Sequence, residues 1–104
     1  MYLLDNPDLI HEDGSLAMMA GIWFYMNPQD PKPSMHDVMT FFFEPTAFDV
    51  AGNYGNNFGT TTNILNGGQE CGFASYKAES RGEYYLKWLN FFGLPSEDGV
   101  GCAN

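Results

Sequence analysis

Positive charge is scarce in this sequence. Lysine and arginine together number 4, against 13 aspartates and glutamates, so the formal net charge at pH 7 is −9. Nucleic-acid binding relies on basic side chains that neutralise phosphates, and anionic membrane surfaces attract basic segments for the same reason. The composition therefore argues against both kinds of partner. It is compatible with an uncharged partner such as a polysaccharide.

Long apolar runs are missing as well. No stretch approaches the ~20 apolar residues that span a bilayer. The N-terminal residues MYLLDNPDL have neither the basic start nor the apolar centre of a signal peptide. They read like the interior of a domain, which suggests that Met1 is a point of truncation. The length predicts one small domain with a modest core.

Cysteine and histidine are too few for most catalytic or metal sites. The only cysteines are Cys71 and Cys102, and the only histidines are His11 and His36. No CxxC, HExxH or calcium-loop spacing is present, so we expect no metal site. A cysteine nucleophile is unsupported because neither histidine is near Cys71 in sequence. The two thiols suit one disulfide that closes the C-terminal third, with two free core thiols as the alternative.

Aromatic residues, by contrast, are abundant and clustered. They make up 16% of the chain and concentrate at residues 23–25, 41–43, 84–85 and 91–92. A small domain has little interior for so many rings, so we expect some to lie on a binding surface or against protein outside this sequence. Trp23 falls at helical spacing and is expected in the core.

Helical spacing dominates the hydrophobic pattern, and no segment alternates as a strand would. Residues 13–26 are predicted to form a helix that Asp13 or Ser15 caps. Residues 77–92 repeat large side chains every three to four positions, and Gly93 follows as a stop signal. The predicted fold class is therefore mostly α.

The middle of the chain is predicted to be more irregular. Prolines make residues 27–34 a stiff extended connection. Short helices are expected at residues 34–39, with Ser34 as the cap, and at residues 46–53, opened by Pro45–Thr46. The Gly/Asn-rich residues 52–59 predict a flexible loop. Residues 60–65 are either a short strand or a capped helical turn.

Paired carboxylates are the one chemistry that so acidic a chain could offer, because glycoside hydrolysis needs an acid and a base beside the scissile bond. The candidates are Glu44, Asp49, Glu70, Glu79 and Glu83, most of them expected in solvent. Glu70 differs because it shares the Gly-rich residues 63–72 with Asn66, and Arg81 opens the helix that follows. An Arg–carboxylate pair could brace the wall of a site. A turn with a surface ion pair is the alternative.

Four segments follow one another along nearly the whole chain, in a specific order and spacing. They are YLLDNPDL, GIWFYMNPQDPKPSMHDV, FGTTTNILNGGQECG and RGEYYLKW. This series resembles family 19 glycoside hydrolases, the chitinases of plants and some bacteria. The resemblance implies the C-terminal portion of a two-lobed, lysozyme-like fold, with residues 1–104 as one partial catalytic domain. It also implies inverting hydrolysis of β-1,4-linked N-acetylglucosamine chains, no cofactor, and an extracellular, secreted or periplasmic location.

The resemblance also assigns roles to individual residues. The family's catalytic acid and base lie upstream of the matched segments, so no catalytic residue is expected in this chain. Asn66 matches an asparagine whose amide contacts the sugar chain. Glu70 and Arg81 match a pair that supports the catalytic acid from behind. Cys71 and Cys102 match the family's C-terminal disulfide.

The sequence is compatible with several functions. The leading hypothesis is a wall of a chitinase-type substrate cleft, inactive on its own and partnered by chitin or an N-acetylglucosamine oligosaccharide. The first alternative is a non-catalytic sugar-binding or interaction module. The second is one half of a split enzyme that pairs with a missing N-terminal segment or a separate chain. Peptidoglycan, which also contains N-acetylglucosamine, is an alternative substrate.

Overall fold

The computed structural model describes residues 3–102, and within that range it contains six α-helices and no β-strand. The helices are α1 (Leu9–Glu12), α2 (Gly14–Met26), α3 (Met35–Met39), α4 (Ala47–Ala51), α5 (Phe58–Glu70) and α6 (Tyr76–Phe91). Extended pairing in the described residues is limited to a bridge between Gln29 and Lys32. The predicted mostly α fold class is confirmed. In the same range, no helix is both long and apolar enough to cross a bilayer.

Polar side chains set where the helices begin. Asp13, Ser34, Thr46, Asn57 and Ser75 each accept a hydrogen bond from a backbone N–H in the first turn of the helix that follows. Such a cap typically contributes ~1 kcal/mol, because it satisfies a donor that the helix leaves free. These bonds are local in sequence, which is why α2, α3 and α4 begin close to their predicted positions.

Helix α5 differs most from the sequence prediction. It starts at Phe58, so the predicted loop over 52–59 ends two residues early, and of the two alternatives for residues 60–65 the helical one is correct. A glycine pair such as Gly67–Gly68 favours a turn, but none forms here. Both glycines lie in the helix, and the only non-helical residue inside it is Asn66, with φ −158° and ψ 46°. Burial of most of the helix overrides the weak local preference of its threonines for extended structure.

The core is built around α5, which packs against α3 and α6. Seven α5 residues are buried, including Thr62 and Ile64. The buried apolar side chains from other elements are few: Val38, Ala78, Leu89 and Cys102. A chain with so small an apolar core has little stability to spare, so its covalent cross-link carries unusual weight.

The C-terminal tail is attached to both ends of α5. Near the start of the helix, the amide of Gly59 donates to the carbonyl oxygen of Gly99 at 2.9 Å. A Cβ on residue 59 would collide with the carbonyl oxygen of Gly101, so only glycine allows the tail to lie this close. Just past the end of α5, Cys71 forms a disulfide with Cys102, with their Cα atoms 4.8 Å apart.

Helix α2 presents an unusual exposed surface, which we call the outer face of α2. Its members are Met18, Met19, Ile22, Trp23 and Met26, each between 45% and 66% exposed. At 100° per residue these five side chains fall within an arc of about 140°. The prediction that Trp23 belongs to the core is wrong, because 59% of it is exposed and no other described element covers this face.

Candidate functional site

Three of the residues singled out from the sequence meet at the end of α5. Arg81, on α6, donates from Nη1 to Oε1 of Glu70 at 2.8 Å and from Nη2 to Oε2 at 3.4 Å. Asn66 donates from Nδ2 to the same Oε2 at 3.0 Å. Both carboxylate oxygens of Glu70 are therefore occupied. We call these three residues the Asn66–Glu70–Arg81 network.

The network pairs a buried carboxylate with a guanidinium that is partly exposed to solvent. Only 3% of the Glu70 side chain is exposed, against 33% of the Arg81 side chain. Bidentate pairing fixes the planes of both groups relative to each other, which a single contact would not do. The Glu70 carboxylate thus holds the side chains of Asn66 and Arg81 in fixed positions.

The electrostatics of the network favour a charged Glu70. The Arg81 guanidinium, through its hydrogen bond, lowers the pKa of Glu70 below the ordinary value, and the Asn66 amide and the charge of Lys77 act in the same direction. Burial of the carboxyl raises the pKa and exceeds the effects of Asn66 and Lys77, but it is smaller than the effect of the Arg81 hydrogen bond. A general acid must carry a proton near neutral pH, whereas this carboxylate is ionised there. The network can therefore support a site, but Glu70 is a poor proton donor.

Asn66 is the one non-helical residue inside α5, and it also carries the amide that bonds to Glu70. The two residues are four positions apart, the spacing at which side chains of a helix meet on one face. The backbone at Asn66 therefore helps to set where along that face its amide lies. Helical bonding resumes beyond the break, where the amide of Cys71 donates to the carbonyl oxygen of Gly67 at 3.0 Å.

A shallow depression of about 240 Å³ opens beside the network. Asn66 and Glu70 line one side of it, and Phe73, Tyr76 and Lys77 lie around the rim. An amide next to exposed aromatic rings suits a sugar, which offers both hydroxyl or acetamido groups and an apolar ring face. Such a sugar is uncharged, so the depression needs no charged group to bind it.

Arg81 also borders a second, more apolar cavity of about 370 Å³ on its other side. The wall there includes Phe58 and Tyr85, whose rings stack with centroids 4.2 Å apart. The hydroxyl of Tyr85 donates to Glu97 at 2.6 Å. Burial, together with this bond, raises the pKa of Tyr85 to about 12. These residues were not predicted as site residues, because the contacts join positions far apart in sequence.

The remaining sequence candidates lie elsewhere. Asp49 accepts hydrogen bonds from the backbone and hydroxyl of Thr46, which lowers its pKa and caps α4. Glu44, Glu79 and Glu83 are exposed. Among residues 3–102, no three His, Cys, Asp or Glu side chains come together as a metal site would require.

Comparison with known proteins identifies one family. A family model described as "Chitinase class I" matches residues 1–102, which is nearly the whole chain. The match includes the network, both cysteines and all six helices.

Individual relatives agree with this result. The chain is 42% identical to Endochitinase 1 of Solanum tuberosum and 41% identical to the Basic 30 kDa endochitinase of Solanum lycopersicum. It is also 41% identical to Inactive chitinase-like protein 2 of Hevea brasiliensis. Each alignment covers 98% of this chain but only 32%, 32% and 30% of the three relatives, respectively. The chain thus spans about a third of the length of the curated relatives it matches.

Proposed function

This chain belongs to the class I chitinase family, glycoside hydrolase family 19, and we propose that it forms one wall of a chitin-binding cleft. Asn66 contacts the acetamido or hydroxyl groups of a β-1,4-linked N-acetylglucosamine chain. Glu70 and Arg81 hold Asn66 in place and brace the cleft from behind. Peptidoglycan, which contains the same sugar, is the alternative substrate.

One observation supports this proposal above the others. The Asn66–Glu70–Arg81 network presents an amide at the edge of a depression with aromatic rings on its rim. The buried, charge-paired Glu70 is suited to holding that amide still, and a preorganised polar group loses less entropy on binding. For the chemical step we propose that the acid and the base lie outside the residues of this chain that match the family.

A sugar-binding role without hydrolysis fits the same geometry. One of the relatives at 41% identity is named an inactive chitinase-like protein. The family scaffold is therefore compatible with a protein that lacks chitinase activity. For the 104-residue chain we propose weak sugar binding and no turnover.

Titration with N-acetylchitohexaose, followed by NMR, tests the cleft proposal. We expect saturable binding without cleavage, and we expect Asn66→Ala to weaken it about tenfold because a buried polar contact is lost. Asn90→Ala, a substitution at an exposed asparagine of α6, is the control and should bind like the unmodified chain. If the unmodified chain shows no binding to the sugar, the proposal is contradicted. Cleavage that Glu70→Gln abolishes would instead make Glu70 a catalytic residue.

The outer face of α2 supports a second proposal, that the chain docks on further polypeptide of the same family domain. A helix that is apolar on all sides is normally buried, and α2 carries no charged side chain. The relatives are about three times longer than this chain. We propose that residues corresponding to the rest of their length pack on the outer face of α2. Those residues would belong to the same polypeptide or to a separate N-terminal chain.

Light scattering tests this docking proposal. Alone, the unmodified chain should self-associate at micromolar concentration, because the five apolar side chains of the outer face meet water. Ile22→Glu should weaken that association about tenfold or more, since it places a charge in the contact. Phe48→Glu, at an exposed aromatic of α4, is the matched control and should leave it unchanged. A monodisperse monomer would count against docking at this face.

We also infer an oxidising compartment for the protein. The disulfide between Cys71 and Cys102 supports this, because such bonds persist in secreted and periplasmic proteins and are rare in the cytosol. An extracellular location fits a polymeric substrate of cell walls.

A further inference from the structure

Lys32 makes a long-range contact that the sequence does not suggest. Its Nζ donates to the backbone carbonyl oxygen of Asn63 at 2.6 Å, although the two residues are 31 positions apart. The lysine is partly buried, so its ammonium is not simply hydrated at the surface. An ammonium that gives up water needs a strong acceptor, and a backbone carbonyl oxygen, which has two lone pairs, is one.

The break in α5 lies within the hydrogen-bonded ring that the carbonyl of Asn63 would close in a regular helix. In a regular helix, the carbonyl of residue i accepts from the amide of residue i+4, and the ring includes the backbone of the three residues between them. For Asn63 those three residues end with Asn66, the one non-helical residue of α5. Asn63 is therefore the first carbonyl whose helical bond must span the break. Lys32 supplies a donor at this point.

The backbone on both sides of Lys32 directs its side chain. Before it, the amide of Lys32 donates to the carbonyl oxygen of Gln29 at 2.8 Å, which closes a turn. After it, the buried Ser34 caps α3, and the fully buried Val38 anchors α3 in the core. Because α3 packs against α5, the turn carries the lysine to α5 as part of the fold.

The side chain of Asn63 links this contact to the residues beyond the break. Its Oδ1 lies where a Cβ on residue 67 would sit, so Asn63 and Gly67 are tightly packed. A displacement of Asn63 would thus be transmitted to Gly67, the residue directly after Asn66.

We propose that Lys32 is a positioning residue for the sugar contact of Asn66. By bonding to the carbonyl of Asn63, it stabilises the break in α5 that directs the Asn66 amide towards Glu70 and the adjacent depression. This inference rests on the proposed sugar-binding role of Asn66. The role of Lys32 in the geometry of Asn66 can nevertheless be measured without any sugar.

The decisive comparison uses Lys32→Met, Lys32→Arg and the control Lys87→Met, which removes the same charge from an exposed lysine of α6. We expect Lys32→Met to shift the NMR signals of the Asn66 side-chain amide and to weaken N-acetylchitohexaose binding about fivefold. Lys32→Arg, which keeps a charged donor, should restore both. Lys87→Met should change neither.

Two outcomes would overturn the proposal. One is a folded Lys32→Met chain whose Asn66 amide signals stay at their unmodified positions, even if its thermal stability falls. The other is read on the unmodified chain, where a hydrogen-bond scalar coupling should join Lys32 Nζ to the carbonyl carbon of Asn63. Its absence refutes the proposal whether or not Lys32→Met folds. Failure of the unmodified chain to bind sugar would instead refute the cleft proposal, while the amide signals still decide the role of Lys32.

Discussion

We expect loss of the Cys71–Cys102 disulfide to lower the free energy of unfolding by about 3–4 kcal/mol. The bond closes a loop with a sequence separation of 31, and opening it gives the unfolded chain more conformations. Small domains are stable by only about 5–15 kcal/mol. Since the apolar core here is small, the double variant Cys71→Ala/Cys102→Ala should lie near the limit of folding at 37 °C.

Urea denaturation of the unmodified chain and the double variant measures this difference. The m-value should rise in the variant, because its unfolded state exposes more surface without the cross-link. A thiol reductant should lower the urea midpoint of the unmodified chain to that of the double variant and leave the variant unchanged. Equal midpoints for the oxidised and reduced protein would contradict the expectation.

The substitution Arg81→Met should cost about 2–3 kcal/mol at pH 7. It removes the guanidinium but leaves Glu70 buried, so an unpaired carboxylate remains with a single amide donor. Breaking a deeply buried pair typically costs about 3–5 kcal/mol. We expect a smaller loss here because a third of the Arg81 side chain already meets solvent.

The pH dependence of the stability lost in Arg81→Met shows whether the loss comes from the charge of Glu70. In the unmodified chain the pKa of Glu70 is lowered. The stabilisation from its pairing is thus complete above the ordinary pKa of 4.5 and is lost as the pH falls through the folded-state pKa. Without Arg81, burial should raise the pKa of Glu70, so protonation then favours the folded state. The stability deficit of Arg81→Met should therefore shrink between pH 7 and pH 4.

Denaturant unfolding at both pH values provides the measurement. The double variant Arg81→Met/Glu70→Gln carries a neutral group of the same shape, so it should be more stable than Arg81→Met at pH 7 and should lack its pH dependence. A deficit that is the same at pH 7 and pH 4 would mean that Arg81 acts through packing of its aliphatic stem and not through its charge.

Prediction from sequence was accurate at the starts of α2, α3 and α4, where the relevant contacts are local. The caps at Asp13, Ser34 and Thr46 bond to amides two or three residues away, so the sequence pattern already contains both partners. The long helix α6 begins and ends one residue before its predicted bounds, because its spacing and the following Gly93 are equally local.

Prediction failed where burial decides the outcome. Trp23 has helical spacing, but spacing alone does not say which side of a helix is covered. For the threonines of α5 the sequence allowed a strand or a helical turn, and their burial in a helix packed on α3 and α6 decided between them. A glycine pair suggests a turn, whereas the break falls on Asn66, three residues after Asn63, whose carbonyl oxygen Lys32 binds.

The sequence by itself determined the family, the mostly α class and most helix starts, because these depend on residue identity and on contacts within about one helical turn. It also singled out Asn66, Glu70 and Arg81, although it could not show how they meet. Only the tertiary structure decided the orientation of Asn66, the contact from Lys32 and the exposure of α2. Each of these depends on which distant segments pack together, and no local pattern encodes that choice.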